Sequence, residues 1–375
     1  MLKLCKQSIT NVKLKEYNDD LKPLEVIRFA LSVTIVIWHF QNFFYPVSSE
    51  NWILIRERQP FYQVFKWCYD NGLIAVQYFW FISGIIFFRI YADDIYNRRI
   101  SWLKFLYNRF SRLYPLHFMT LLLVLILQIA YFSRNGIYFM NPISSIEFFK
   151  HLLFIHSWNK QNFSFNGPSW SVSVEIIIYF LFFFFAISGF FRKISFTLIT
   201  IIVVVLLKRL NIVFYSDIVN CLYFFMIGGF LITYYDFVNT KQRQLMLISF
   251  ILLGYILLDY FRILEMDILW NLSVKTIFMS FFIVFPAIFI FRRINFLRNI
   301  SYKKFTLLGN LTYSTYLLHF PIQIFFVTFF IDSKSEVLFS RAFFLLYLSI
   351  VLFTSIFVYY FFEKTSKAFL RKWQV

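Results

Sequence analysis

Residues 24–45, LEVIRFALSVTIVIWHFQNFFY, form an apolar run long enough to cross a bilayer as one helix at about 1.5 Å per residue. The run nevertheless holds Arg28 near its start and His39 near its far end. An ionisable side chain inside lipid is costly, so each demands a partner or a function. The step from 28 to 39 corresponds to about 16 Å of helix and about three turns, so both side chains leave nearly the same face. One helix face thus offers a guanidinium toward one membrane surface and an imidazole toward the other, the outline of a reaction path across the membrane. A snorkelling arginine and a histidine bonded to a neighbouring helix are the structural alternatives.

The same pattern repeats along the chain. Apolar runs cover 24–45, 71–92, 113–133, 169–190, 194–211, 216–236, 245–263, 270–291, 305–330 and 341–362. The 375 residues are 60% hydrophobic and only 15% charged, far beyond the apolar content a soluble domain needs. The fold class expected is all-α: a polytopic transmembrane bundle of about ten spans. The net charge of +18 does not point to nucleic acid. Its Lys and Arg sit in short connections, and with both termini inside they favour the inner connections about twofold, as cytoplasmic loops do. Three cysteines follow no metal or redox spacing, and no disulfide, metal or bound cofactor is expected. The polar first residues lack the apolar core of a cleavable signal. The division expected is a cytoplasmic tail 1–23, a membrane domain 24–363 and a cytoplasmic tail 364–375.

Further polar residues interrupt the runs. Arg109 and Arg112, three apart, share a face on a helix, and paired guanidiniums grip phosphate in bidentate fashion. A cytosolic donor with several phosphates, such as an acyl-coenzyme A, suits them; ordinary positive-inside charge is the alternative. Glu175 lies about five residues past Trp170 in the fourth run, which by count puts it in the outer half of the membrane beside His39. There it would orient the imidazole and hold its charge; an ion pair with an Arg or Lys of another helix is the other reading. Tyr313, Tyr316 and His319 occupy neighbouring positions of one helix surface, as a catalytic patch or as a polar seam between helices.

Several of these stretches carry a family resemblance. The Arg-x10-His spacing of Arg28 and His39 is one mark. Others are Tyr78-Phe79-Trp80-Phe81-Ile82-Ser83-Gly84, Arg109-x-x-Arg112, Trp170-Ser171-Val172-Ser173-Val174-Glu175, and the Gly309…Tyr313…His319-Phe320-Pro321 run. In this order they resemble the acyltransferase-3 family of integral-membrane acyltransferases. The resemblance implies a ten-helix core, a cytosolic acyl-coenzyme A donor as co-substrate, and an acceptor reached from outside or within the membrane. It makes His39 catalytic and gives the donor to Arg28, Arg109 and Arg112, with Ser83, Trp170, Ser171, Tyr313 and His319 as further site candidates. Two departures stand out. The final span of the family often ends in Glu-x-Pro, where this chain has Glu363-Lys364-Thr365. Many members also carry a C-terminal extracytoplasmic hydrolase-like domain, absent here, which implies direct transfer or a separate extracytoplasmic partner.

The expectation is a multi-pass inner (plasma) membrane O-acyltransferase, working among membrane lipid. It would move an acyl group, most simply acetyl, to a hydroxyl of a surface polysaccharide or its lipid-linked precursor, with His39 as base or acyl carrier and Glu175 beside it. A transporter or flippase for a lipid-linked sugar is the rival, but no matched pair of Gly/Pro-broken spans is present. The charge bias predicts that a reporter fused after Val375 is active only in its cytoplasmic form. Periplasmic activity there would reverse the orientation and the donor side with it.

Overall fold

The computed structural model describes residues 22–44, 57–159, 163–192, 197, 199–203, 216–237, 302–331 and 335–372, and among these no strand occurs. Helix α1, Lys22–Phe44, closes its last turn as a 3-10 helix over Phe40–Phe44. It is followed by α2 (Tyr62–Ile90), the short α3 (Ala92–Tyr96) and α4 (Trp102–Asn135). The surface helix α5 (Ser145–Leu152), α6 (Trp170–Ile187) and α7 (Ser216–Phe237) come next. The chain ends with α8 (Tyr302–Phe329), α9 (Arg341–Val358), a π-helical turn at Tyr359–Glu363, and α10 (Lys364–Arg371).

Among the described residues, six helices are long and apolar enough to cross a membrane. Helix α8 has the length but is studded with Asn310, Thr312, Ser314, Thr315, His319 and Gln323, and is not one of the six. The expected runs 245–263 and 270–291, and most of 194–211, lie outside the described residues. Helix α4 begins well before its apolar run, at Trp102 rather than 113; α2 begins at Tyr62 but is kinked at Phe65 and Asn71, and the stretch beyond the kink coincides with the run expected from 71. Hydropathy marks where lipid contact begins, whereas the backbone follows capping. Ser101 accepts the Lys104 N–H at 3.3 Å and starts α4, while Gly136, at φ 72°, ends it in the left-handed conformation that costs glycine nothing. Arg109 and Arg112 therefore sit inside a helix, not in a loop.

The buried apolar side chains form two clusters. One joins α2, α6 and α7 around Phe87, Tyr179, Phe182 and Phe225; the other joins the end of α1 to α4, α8 and α9 around Phe40, Phe320, Phe344 and Tyr347. Edge-on and tilted aromatic contacts dominate both, such as Phe40 against Phe344 at 5.1 Å between centroids, while Phe87 lies flat on Tyr179 at 4.6 Å. Helices α2 and α7 meet backbone to backbone. A Cβ at Gly84 would strike the Phe225 carbonyl, and one at Gly228 the Phe81 carbonyl. Small residues at a crossing are what permits such approach where lipid supplies no hydrophobic drive. Gly228→Ala should therefore push the helices apart and cost about 1–3 kcal/mol. Thermal unfolding in lipid nanodiscs should register it as a lower midpoint, with Gly136→Ala, whose Cβ meets nothing, losing only its backbone preference.

Candidate functional site

The largest group of predicted residues converges on one cavity. Arg28 reaches it from α1, Ser83 from α2, Arg109 and Arg112 from α4, Ser171 and Glu175 from α6, and Tyr313 from α8. The space open to the centre of a water-sized sphere is about 90 Å³, enough for several waters or a small acyl head. Trp80, Phe87 and Tyr179 complete its walls.

Each cation is positioned by a different device. Arg28 pairs with Glu25, one turn earlier on α1, at 3.2 Å. Glu25 fits there only because α8 presents Gly309, where any Cβ would fall on its carboxylate. The Arg109 guanidinium lies over the rings of Phe87 (5.1 Å) and Tyr91 (4.9 Å) and donates to the Tyr91 hydroxyl, while its Nε is buried without a partner among the described residues. No hydrogen bond from the described residues reaches Arg112; the field of Glu25 and Glu363 holds it. Glu363 is fixed in turn by the Ser314 hydroxyl. Ser171 bonds the Tyr316 hydroxyl at 2.7 Å, and Tyr313 donates to the Leu113 carbonyl at 2.9 Å.

Glu175 belongs to this cavity, not to the imidazole. The Ser83 and Tyr179 hydroxyls and the charges of Arg28 and Arg112 surround its carboxylate, and Oε1 is buried with no hydrogen-bond partner among the described residues. Counting residues from Trp170 does not reveal these neighbours, because the start of α6 is packed inside the protein. The 3-10 turn Gly167–Ser169 is itself buried, and Trp170 is wedged edge-on against Trp80 at 5.8 Å, outside the cavity lining. The connection into α6 folds inward, and the carboxylate lands among guanidiniums, where a buried anion is compensated.

The true partner of His39 is His319. His39 Nδ1 and His319 Nε2 are 2.8 Å apart, and the rings stack with centroids 5.0 Å apart. On its other side, His319 Nδ1 faces the Thr315 carbonyl at 3.2 Å. A carbonyl only accepts, so that nitrogen carries the proton of a neutral His319. Its Nε2 must then accept from His39 Nδ1, which leaves His39 Nε2 with a free lone pair. The pair sits firmly: Tyr347 donates to the His319 carbonyl at 3.0 Å, and Gln323 to the His39 carbonyl at 2.8 Å. Pro321 plays a further part. Lacking an N–H, it leaves the Leu317 carbonyl without its helical donor, and the Asn166 side chain fills the gap at 3.0 Å.

The remaining three of the five histidines form a second cluster that sequence reading missed. His151 stacks on His156 at 3.7 Å, His117 stacks on Phe154 at 3.8 Å and meets the His151 carbonyl at 2.8 Å, and Ser169 meets His156 Nε2 at 3.1 Å. No three His, Cys, Asp or Glu among the described residues have the arrangement to hold a metal ion. The cluster fastens α5 and the inward connection to α4. No local spacing announces it, because the three side chains meet only through the fold.

A family model described as an acyltransferase domain, the third such family, matches residues 22–362, nearly the whole chain. No curated protein and no solved structure matches.

Burial, then the neighbouring His151 and His117, hold the His156 imidazole well below its usual pKa. The folded state thus resists a proton that the unfolded chain accepts. The stability this neutral ring supports is complete above the ordinary imidazole pKa of about 6.5 and falls as pH drops below it, by at most about 1.4 kcal/mol per pH unit. Unfolding midpoints in nanodiscs between pH 7.5 and 5 should decline, and His156→Gln should start lower at pH 7.5 but decline less steeply. Parallel curves would remove His156 from the effect.

Proposed function

The chain belongs to the acyltransferase-3 family, and we propose that it transfers an acyl group, most simply acetyl, from cytosolic acyl-coenzyme A to a hydroxyl of a surface polysaccharide or its lipid-linked precursor. The observation that carries the reading is the convergence of Arg28, Arg109 and Arg112 on one cavity, with a neutral base of defined tautomer about 16 Å further along the helix that supplies Arg28. The arginines take the anionic donor, and its flexible thiol arm carries the acyl group through the bundle toward His39. His39 Nε2 removes the acceptor proton as the hydroxyl oxygen attacks the thioester carbonyl. Collapse of the tetrahedral adduct expels the thiolate, and the same proton passes from the imidazolium to that sulfur, so the histidine ends as it began. His319 accepts from the imidazolium Nδ1–H throughout. Glu175, near Arg28 and Arg112, balances charge around the donor rather than orienting the base.

The setting that accompanies this reading is a ten-span protein of the inner membrane, with segments 1–23 and 364–375 on the cytoplasmic side and 24–363 as the membrane domain. Transfer is direct or assisted by a separate extracytoplasmic partner.

The test is transfer of radiolabelled acetyl from acetyl-coenzyme A to envelope carbohydrate in isolated membranes. His39→Gln keeps size and hydrogen bonding but cannot carry the proton, and should lose on the order of 10²-fold or more. His319→Leu leaves the buried His39 Nδ1–H without an acceptor and should lose about ten- to a hundredfold. His319→Gln, which still offers an acceptor, should lose less. Combining His39→Gln with His319→Leu should be no worse than His39→Gln alone, because the pair acts as a unit. Near-normal transfer by the His39→Gln protein, at equal abundance, would sink the mechanism.

A further inference from the structure

The C-terminal segment carries a second set of cations close to the arginines of the cavity. Glu363, Lys367 and Arg371 recur at four-residue spacing and so form one stripe on α10 and the turn before it. The orientation of that stripe is fixed at its inner end, where Glu363 is buried and bonded to Ser314 of α8. It is fixed again further on, where Tyr107 of α4 donates to the Leu370 carbonyl. Lys367, one turn beyond Glu363, therefore comes within Coulombic reach of Arg109 and Arg112. Arg371, a further turn out, is exposed. The three arginines of the cavity are matched in number by Glu175, which shares its lining, and by Glu25 and Glu363 beside it. Lys367 and Arg371 add two charges, and among the described residues neither makes an ion pair. Like charges gathered at the mouth of a low-dielectric cavity repel one another, and an anion with more than one negative group relieves that repulsion.

The local sequence makes this possible. The π-helical turn at Tyr359–Glu363 widens the helix by one residue and turns Glu363 inward. A proline at position 365 would disfavour helix there; Thr365 lets the chain run on as α10, and that extra length delivers Lys367 and Arg371.

We propose that Lys367 and Arg371 form the phosphate-recognition end of the donor site. They seat the nucleotide phosphates of coenzyme A at the cytosolic mouth while Arg28, Arg109 and Arg112 take the part of the donor that enters the cavity. The inference rests on the donor reading above and adds to it the residues that distinguish a nucleotide-bearing donor from a bare thiol arm.

Binding separates the two ideas without knowledge of the acceptor. Purified protein in phosphatidylcholine nanodiscs is titrated with coenzyme A and with pantetheine, which has the arm but no phosphates. Lys367→Ala and Arg371→Ala should each weaken coenzyme A binding roughly ten- to a hundredfold and leave pantetheine binding unchanged. Lys367→Arg should retain most of the affinity, which guards against a folding artefact. Wild-type affinity for coenzyme A in both alanine variants, with Arg109→Ala still losing it, would overturn the inference and spare the donor reading. Failure of the wild-type protein to bind coenzyme A would overturn both. Repeating the titration with phosphatidylglycerol in the nanodisc identifies the other phosphate source. If the variants differ from wild type only with that lipid present, the cations hold headgroups and the proposal fails.

Discussion

A guanidinium withdrawn from water must be answered by charge or by a ligand, and three of them share one cavity here. That constraint arranges much of the bundle. It explains why α8 carries a glycine where Glu25 approaches, why Glu363 is turned inward and bonded to Ser314, and why Glu175 stands among arginines. Each carboxylate comes from a different helix or turn, so the cavity holds together only when α1, α6 and the C-terminal end of the bundle are packed at once. Its formation and the folding of the membrane domain are one event.

The histidine pair solves a different problem. A carboxylate behind His39 would raise its basicity but would add a charge deep in the bundle. His319 orients the same nitrogen and accepts the same hydrogen bond while remaining neutral. The arrangement gives up some proton affinity and avoids the desolvation cost of a fixed anion. In the proposed mechanism charge is present at that depth only while the proton is in transit, and the backbone carbonyl of Thr315 is already aligned to the ring that shares it.

Much of this was legible in the residues themselves. Arg28 and His39 stand out because an apolar helix has no reason to hold them, and their spacing places them on one face whatever surrounds it. Arg109 and Arg112 share a face for the same periodic reason. Glu25, three residues before Arg28, was open to the same argument. What the chain could not reveal was which helix lies opposite which. His39 meets a residue 280 positions away, and His117 joins His151 and His156 from a helix more than thirty positions earlier. The neighbours of Glu175 were hidden for a related reason: the connection before α6 is folded inward and buried, so counting from Trp170 could not tell that the carboxylate faces Arg28 and Arg112. The helix start at Trp102 was missed because a polar, charged turn remains helical once capped by Ser101, and hydropathy does not record backbone.

Pro321 deserves reading in evolutionary terms. The carbonyl it releases at Leu317 is claimed by Asn166, so a proline within a helix and an asparagine in a distant turn are two halves of one hydrogen bond. Neither can drift alone. A lineage that regained an N–H at position 321 would free the asparagine from its constraint, and one that lost the asparagine would leave the helix with an unanswered carbonyl. The geometry predicts that the two positions change together, as a single heritable character, and that their joint presence marks the docking of the inward connection onto the helix that carries His319.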